Sequence, residues 1–195
     1  MRVSRIPHAA NLFVSAKTST AIPAPCPLVR DALIQASLDP AVRSIEFLAQ
    51  ARVGTTQVDL GAIIIVRDDG RFVLDVVPAR PVRDVEHEGL ALIALAELGL
   101  KQITLTAADI RREPRFANSR LVWNYRQHPV GISMRLRVLQ VLADDGPMAL
   151  SRLLSAVRSD RDPSPAVMAM TCSDLLELDL VSRQLGPQTI ARSRA

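Results

Sequence analysis

Residues 56–80, TQVDLGAIIIVRDDGRFVLDVVPAR, constrain the fold more than any other stretch of the chain. Two runs rich in β-branched and apolar residues, 62–66 and 71–77, flank Asp68-Asp69-Gly70. Asp-Gly between such runs signals a hairpin, because these residues tolerate the positive φ of a tight turn. Each predicted strand carries one acid, Asp59 just before the first run and Asp75 near the end of the second. Two carboxylates converging at one end of an antiparallel pair would suit a hard divalent cation such as Mg²⁺. The alternative is a pair of strand-end acids facing water, and spacing alone leaves both readings open.

Around this hairpin the chain alternates helix and strand. Residues 1–26 read as a flexible basic arm: no acid precedes Asp31, and Pro7, Pro23, Pro25 and Pro27 interrupt regular structure. Helical spacing over 28–38 ends at Asp39-Pro40, since a residue before proline is pushed out of the helical region. A strand over 42–48 precedes the hairpin. A helix over 86–98 with Gly99 as its C-cap follows it. Residues 102–105 form a short strand, Thr106 and Asp109 make an acid variant of the capping box, and 116–126 is helical. This order predicts an α/β domain around a mixed sheet over 27–128. After His128-Pro129 the rhythm changes. Helices are expected over 132–142, 149–157 and 166–178, then a hairpin pairing 180–183 with 190–192. That is the outline of a small winged-helix domain over 130–195, with a generic three-helix domain as the alternative.

Charge and composition narrow the function classes. A net charge of +4 admits an anionic partner, and 22 of the 24 basic residues are arginines, with Lys17 and Lys101 the exceptions. Cys26 and Cys172 are far apart and lack metal-ligand spacing, which fits a reduced cytoplasmic protein without structural zinc. The apolar run over 90–100 is broken by Glu97 and Gly99, so no membrane span is expected. His87 lies between Glu86 and Glu88, but neighbouring helix positions face different directions, and a solvent-facing histidine is the reading. Trp123 and Tyr125 beside Arg120 and Arg126 suit stacking on nucleic acid, or a core anchor in the case of Trp123. The helix expected over 166–178 holds no arginine or lysine, whereas a major-groove reader needs polar or basic residues there. Arg158, Arg161, Arg183 and Arg192 flank it instead, suiting phosphate contact. Its Met168 and Met170 suit an adaptable protein interface.

The chain resembles the TnsA-type transposon endonucleases, a branch of the PD-(D/E)xK nuclease superfamily, over about residues 26–126. The residues carrying the likeness are VRDALIQASLDPAVRSIEF, then Val58-Asp59-Leu60 for a PDF-like acid. Asp75-Val76-Val77-Pro78 follows for the E/Q-V-K motif, then LTAADIRREPRFANSRLVWNYR. The resemblance implies a restriction-endonuclease-like mixed sheet, a C-terminal domain of winged-helix character, and DNA and a transposase as partners. It also implies a metal site of a helix glutamate, an aspartate and a lysine. Here Asp59 and Asp75 remain, as residual catalytic and metal positions, while Val29 stands for the glutamate and Val77 for the lysine. A valine neither ligates a metal nor stabilises a developing anion, and such a loss costs about 10²–10⁴ in rate.

Three functions follow as expectations. The first is a non-cleaving, TnsA-like DNA-binding protein, without cofactor, that works with a transposase or regulator. The second is an active Mg²⁺-dependent endonuclease with a relocated catalytic set in which Arg80 or Arg83 swings in. The third is a winged-helix transcriptional regulator whose first domain makes a homodimer.

Overall fold

The computed structural model describes residues 12–157, 159 and 161–194. The chain forms two compact units: one runs to Ala36 and resumes over Ala41–Ile110, and the other takes Ser37–Pro40 and resumes at Arg111. The change in sequence rhythm at 128–130 therefore falls inside the second unit, not at its start. The first unit is α/β, built on a mixed four-stranded sheet.

The sheet has the order β3-β4-β5-β6, with β3 (Val42–Val53), β4 (Thr56–Arg67), β5 (Gly70–Val76) and β6 (Lys101–Leu105). The first three strands form an antiparallel meander, and β6 joins β5 in parallel. In β4 the run Ile63, Ile64 and Ile65 is buried at every position, the pattern of a strand covered on both faces. Asp68 and Asp69 make the predicted turn, with Gly70 alone of the three at positive φ (+140°).

Helix α1 (Pro27–Leu38) precedes the sheet, and α2 (Val85–Glu97) makes the crossover between the parallel strands. Asp84 caps α2 by accepting from the His87 amide at 2.8 Å, and Gly99 closes its far end at φ +65°. His87 is exposed beside this cap, as expected. The capping box is present on the short helix α3 (Ala107–Ile110): Thr106 N donates to Asp109 Oδ2 at 3.0 Å, and Asp109 N to Thr106 Oγ1 at 3.2 Å.

The flexible-arm expectation needs correction over 12–26; residues 1–11 lie outside the described residues. Strand β1 (Leu12–Phe13) pairs with β2 (Ile22–Pro23), and the Ile45 amide donates to the Lys17 carbonyl at 2.8 Å. Phe13 and Ile22 are wholly buried, and apolar burial of that size outweighs the local preference of a proline-rich segment.

The second unit contains α4 (Arg115–Trp123), α5 (Ile132–Asp145), α6 (Leu150–Ala156) and α7 (Ser164–Cys172). Its three-stranded antiparallel sheet has the order β7-β9-β8, from β7 (Met148–Ala149), β8 (Leu176–Leu178) and β9 (Ile190–Ser193). The expected helix over 166–178 therefore stops at Cys172. Asp174 takes φ 61°, a left-handed residue that a helix does not continue through, and 176–178 becomes a strand. The C-terminal hairpin correspondingly pairs 176–178 with 191–193, not 180–183 with 190–192.

Every residue of α7 from Ala166 to Cys172 is buried, because α4 packs on it as well as α5. Met168 and Met170 are thus core residues, and the methionine interface expected from the sequence is not available. Trp123 is a core anchor too. Burial pushes the Cys172 thiol up to about 12, with Arg126 opposing weakly, so it stays protonated and inert.

Asn118 of α4, itself buried, donates to the Leu180 carbonyl at 2.9 Å and the Arg183 carbonyl at 2.8 Å. It also accepts from the Leu185 amide at 2.8 Å. Its three partners all lie in the loop between β8 and β9. Asn118→Ala leaves two carbonyls and an amide without these bonds and is expected to cost about 1–3 kcal/mol. Urea denaturation checks this; a variant within experimental error of the parent would show the loop holding itself.

Candidate functional site

The two middle strands of the first unit pair only from Ile64↔Val73 to Arg67↔Gly70. Beyond that, β4 continues with β3, and β5 with β6. The parting coincides with a bulge: from Leu48↔Ala62 to Gln50↔Asp59, β3 advances two residues and β4 three, with Gly61 at φ +56°. Pro78, which has no amide to donate, follows β5.

Between the parted strands lies a cleft of about 730 Å³. Leu60, Gly61 and Ala62 line it from β4, Leu74, Asp75 and Val76 from β5, Val29 from α1, and Leu92 and Leu95 from α2. Arg80 and Arg83 reach it from the segment that leads into α2.

Its polar centre is an ion pair. Arg80 presents its guanidinium fork to Asp75, Nε to Oδ1 at 2.8 Å and NH2 to Oδ2 at 2.5 Å. Thr104, opposite Asp75 in the β5–β6 ladder, donates to Oδ2 at 3.1 Å. The Arg80 hydrogen bonds hold the Asp75 carboxyl below its ordinary range; burial opposes them, and Thr104 adds to them. The same partner raises Arg80. Arg83 donates to the Leu60 carbonyl, on the edge that β5 has left, and to Glu88 at 3.2 Å.

Asp59 and Asp75 do not converge. Val58 and Leu60, on either side of Asp59, pack with Ala91 and Ala94 of α2, so Asp59 faces away from that helix. Asp75 is in step with Val73, which packs with Ile64 and Leu100 on the α2 side of the sheet. Asp59 instead accepts from Gln50 Nε2 at 2.6 Å, exposed to solvent. Among the described residues, no three His, Cys, Asp or Glu side chains gather at one point. The residues present do not fit Mg²⁺ here, since one carboxylate is taken by a bidentate arginine and the other, outside the cleft lining, accepts from Gln50. Val29 is buried in the cleft wall, and Val77 is not part of the lining. The expected hairpin is present, but its acids are not a pair.

The arginines expected from the sequence to meet DNA lie in the second unit. Arg120 and Arg126 are exposed, the first over the Phe116 ring at 5.4 Å and the second over Trp123 at 5.7 Å. Arg183 is exposed in the β8–β9 loop, and Arg192 on β9 stands opposite Glu177. Arg161 is exposed after α6, and Arg158 lies outside the described residues. Sequence reasoning misses Asn118 and Thr104, whose roles depend on partners 62 or more and 29 residues away, respectively. Among the described residues no helix is long and apolar enough to cross a membrane.

Asp75→Asn removes the charge that Arg80 holds and should cost on the order of 1 kcal/mol near neutral pH. Because the folded carboxyl titrates below 3.8, the stabilisation is complete above that value and lost as pH falls through the depressed one. Urea unfolding of parent and variant across that range should show a gap that closes in acid. A gap independent of pH would mean that packing, not the ion pair, sets it.

Set beside known proteins, the chain matches no family model and no curated relative.

Proposed function

We propose that this chain is a TnsA-like, nuclease-fold protein that binds DNA without cutting it and acts with a protein partner such as a transposase or regulator. The order helix, three-stranded meander, helix, parallel strand supports the restriction-endonuclease-like reading of the first unit. In the second unit, three helices and a sheet of order β7-β9-β8 support the winged-helix reading.

The observation that carries the non-cleaving reading is the Arg80–Asp75 fork in the cleft. A metal-dependent nuclease needs carboxylates free to ligate a cation and activate water. Here the cleft's mostly buried acid is neutralised by a guanidinium, and Val29 fills the wall where the resemblance would place another acid. Among the described residues none supplies the missing ligands, so the active-endonuclease reading gains no support. Two free thiols, Cys26 and Cys172, accord with a cytoplasmic setting.

The test uses the full chain. Supercoiled plasmid with Mg²⁺ or Mn²⁺ should remain unnicked. Duplex binding should be unchanged by a chelator and should fall steeply between about 50 and 200 mM salt, as counterion release requires. Nicking that disappears in Asp59→Ala would overturn the proposal and restore the endonuclease.

A further inference from the structure

The chain's excess positive charge is confined to one part of it. The second unit, residues 37–40 and 111–195, holds 13 arginines against nine Asp and Glu, a formal +4, which leaves 0 on the first out of the total of +4. Polyanion attraction therefore belongs to the second unit and not to the cleft.

Within that unit, the helix in the recognition position of a winged helix is closed off. α7 is buried from Ala166 to Cys172, and α4 covers it: Cys172 Sγ donates to the Val122 carbonyl at 3.3 Å. A helix held beneath another helix cannot reach base edges in the groove of a duplex.

The covering helix has the chemistry that α7 lacks. Arg120 and Arg126 lie against the rings of Phe116 and Trp123, one turn away on the same segment. Cation–π contact fixes the guanidinium plane while leaving N–H edges for an oxyanion; on Arg126 one N–H donates to the Trp123 carbonyl at 3.3 Å and the others remain. Among the described residues no carboxylate lies within salt-bridge distance of either arginine, in contrast to Arg115 and Arg194 of the same unit, which hold Asp39 and Asp174. The β8–β9 loop is bound to the same helix, since Asn118 holds the carbonyls of Leu180 and Arg183. Asp179, the loop's own acid, accepts from the amides of Val181 and Ser182 at 3.2 and 3.0 Å; these bonds, more than the charge of Arg183 nearby, hold its carboxyl below the usual range. Arg183 is thus presented from a loop that α4 has fixed.

We propose that α4, the turn that follows it and the β8–β9 loop form one phosphate-binding surface for duplex DNA, with Arg120, Arg126 and Arg183 as its contacts, and that α7 never enters a groove. The inference rests on the DNA-binding reading above and locates it. Binding through phosphates alone is tolerant of sequence.

Fluorescence anisotropy of a short mixed-sequence duplex with the full chain tests it. The triple variant Arg120→Gln, Arg126→Gln, Arg183→Gln should bind at least about tenfold more weakly, and each phosphate deprived of its arginine should make the salt slope shallower by roughly 0.9. A control with the same charge change on the first unit, Arg43→Gln, Arg52→Gln, Arg71→Gln, should bind like the parent. Circular dichroism establishes that both triples are folded; if the first is not, the single variants at the same exposed positions take its place. A parent that binds while the first triple binds equally well overturns this inference and leaves the DNA-binding reading intact. Equal loss in both triples also overturns it, because net charge and not a surface would then be responsible. A parent that fails to bind duplex at low salt overturns both.

Discussion

Four residue pairs, Ile64–Arg67 against Val73–Gly70, join the two halves of the first unit's sheet. On one side β3 and β4 run together over almost their full lengths; on the other β5 and β6 make a parallel ladder. The short junction fixes where β4 and β5 part, and that parting creates the cleft. A bulge on β4 makes the separation part of the covalent sequence, since it does not permit the ladder to continue in step. The edges so exposed are not left bare. Arg83 covers a carbonyl of β4, and Arg80 neutralises the acid of β5. Both arginines come from one proline-framed segment, so the break in the sheet and the chemistry that seals it are encoded side by side in the chain.

The second unit solves a different problem. Its central helix is buried over its whole circumference, and such a helix must be surrounded. α5 and the adjoining strand β8 leave one side of it open, and α4 closes it. That closure fixes the loop between β8 and β9 through a single buried amide, because Asn118 has both donors and an acceptor to offer and uses all of them there.

Local chemistry was legible in the sequence. The Asp68-Asp69-Gly70 turn, the Thr106–Asp109 box and the Gly99 cap each depend on residues within a few positions of one another. The position of Asp75 opposite Thr104 does not, nor does the partnership of Asn118 with 180–185, and these were invisible. Two local readings failed because tertiary packing outweighed propensity. Prolines at 23, 25 and 27 looked like a loose arm, yet Phe13 and Ile22 buried the segment. The apolar density of 166–178 looked like one helix, yet Asp174 broke it and gave its end to the sheet. The two acids of the hairpin were close in sequence and plausible as a pair, but each has a partner of its own, Gln50 for Asp59 and Arg80 for Asp75.

The position of α4 also decides where this chain can be divided. A cut at the proline of His128-Pro129 follows the change in sequence rhythm, but it would separate α7 from the helix that covers it. The Cys172 thiol would lose its acceptor on Val122, and the carbonyls of Leu180 and Arg183 would lose their donor. A fragment meant to stand alone must therefore begin no later than Arg115, so that the helix and the segment it shelters remain in the same piece.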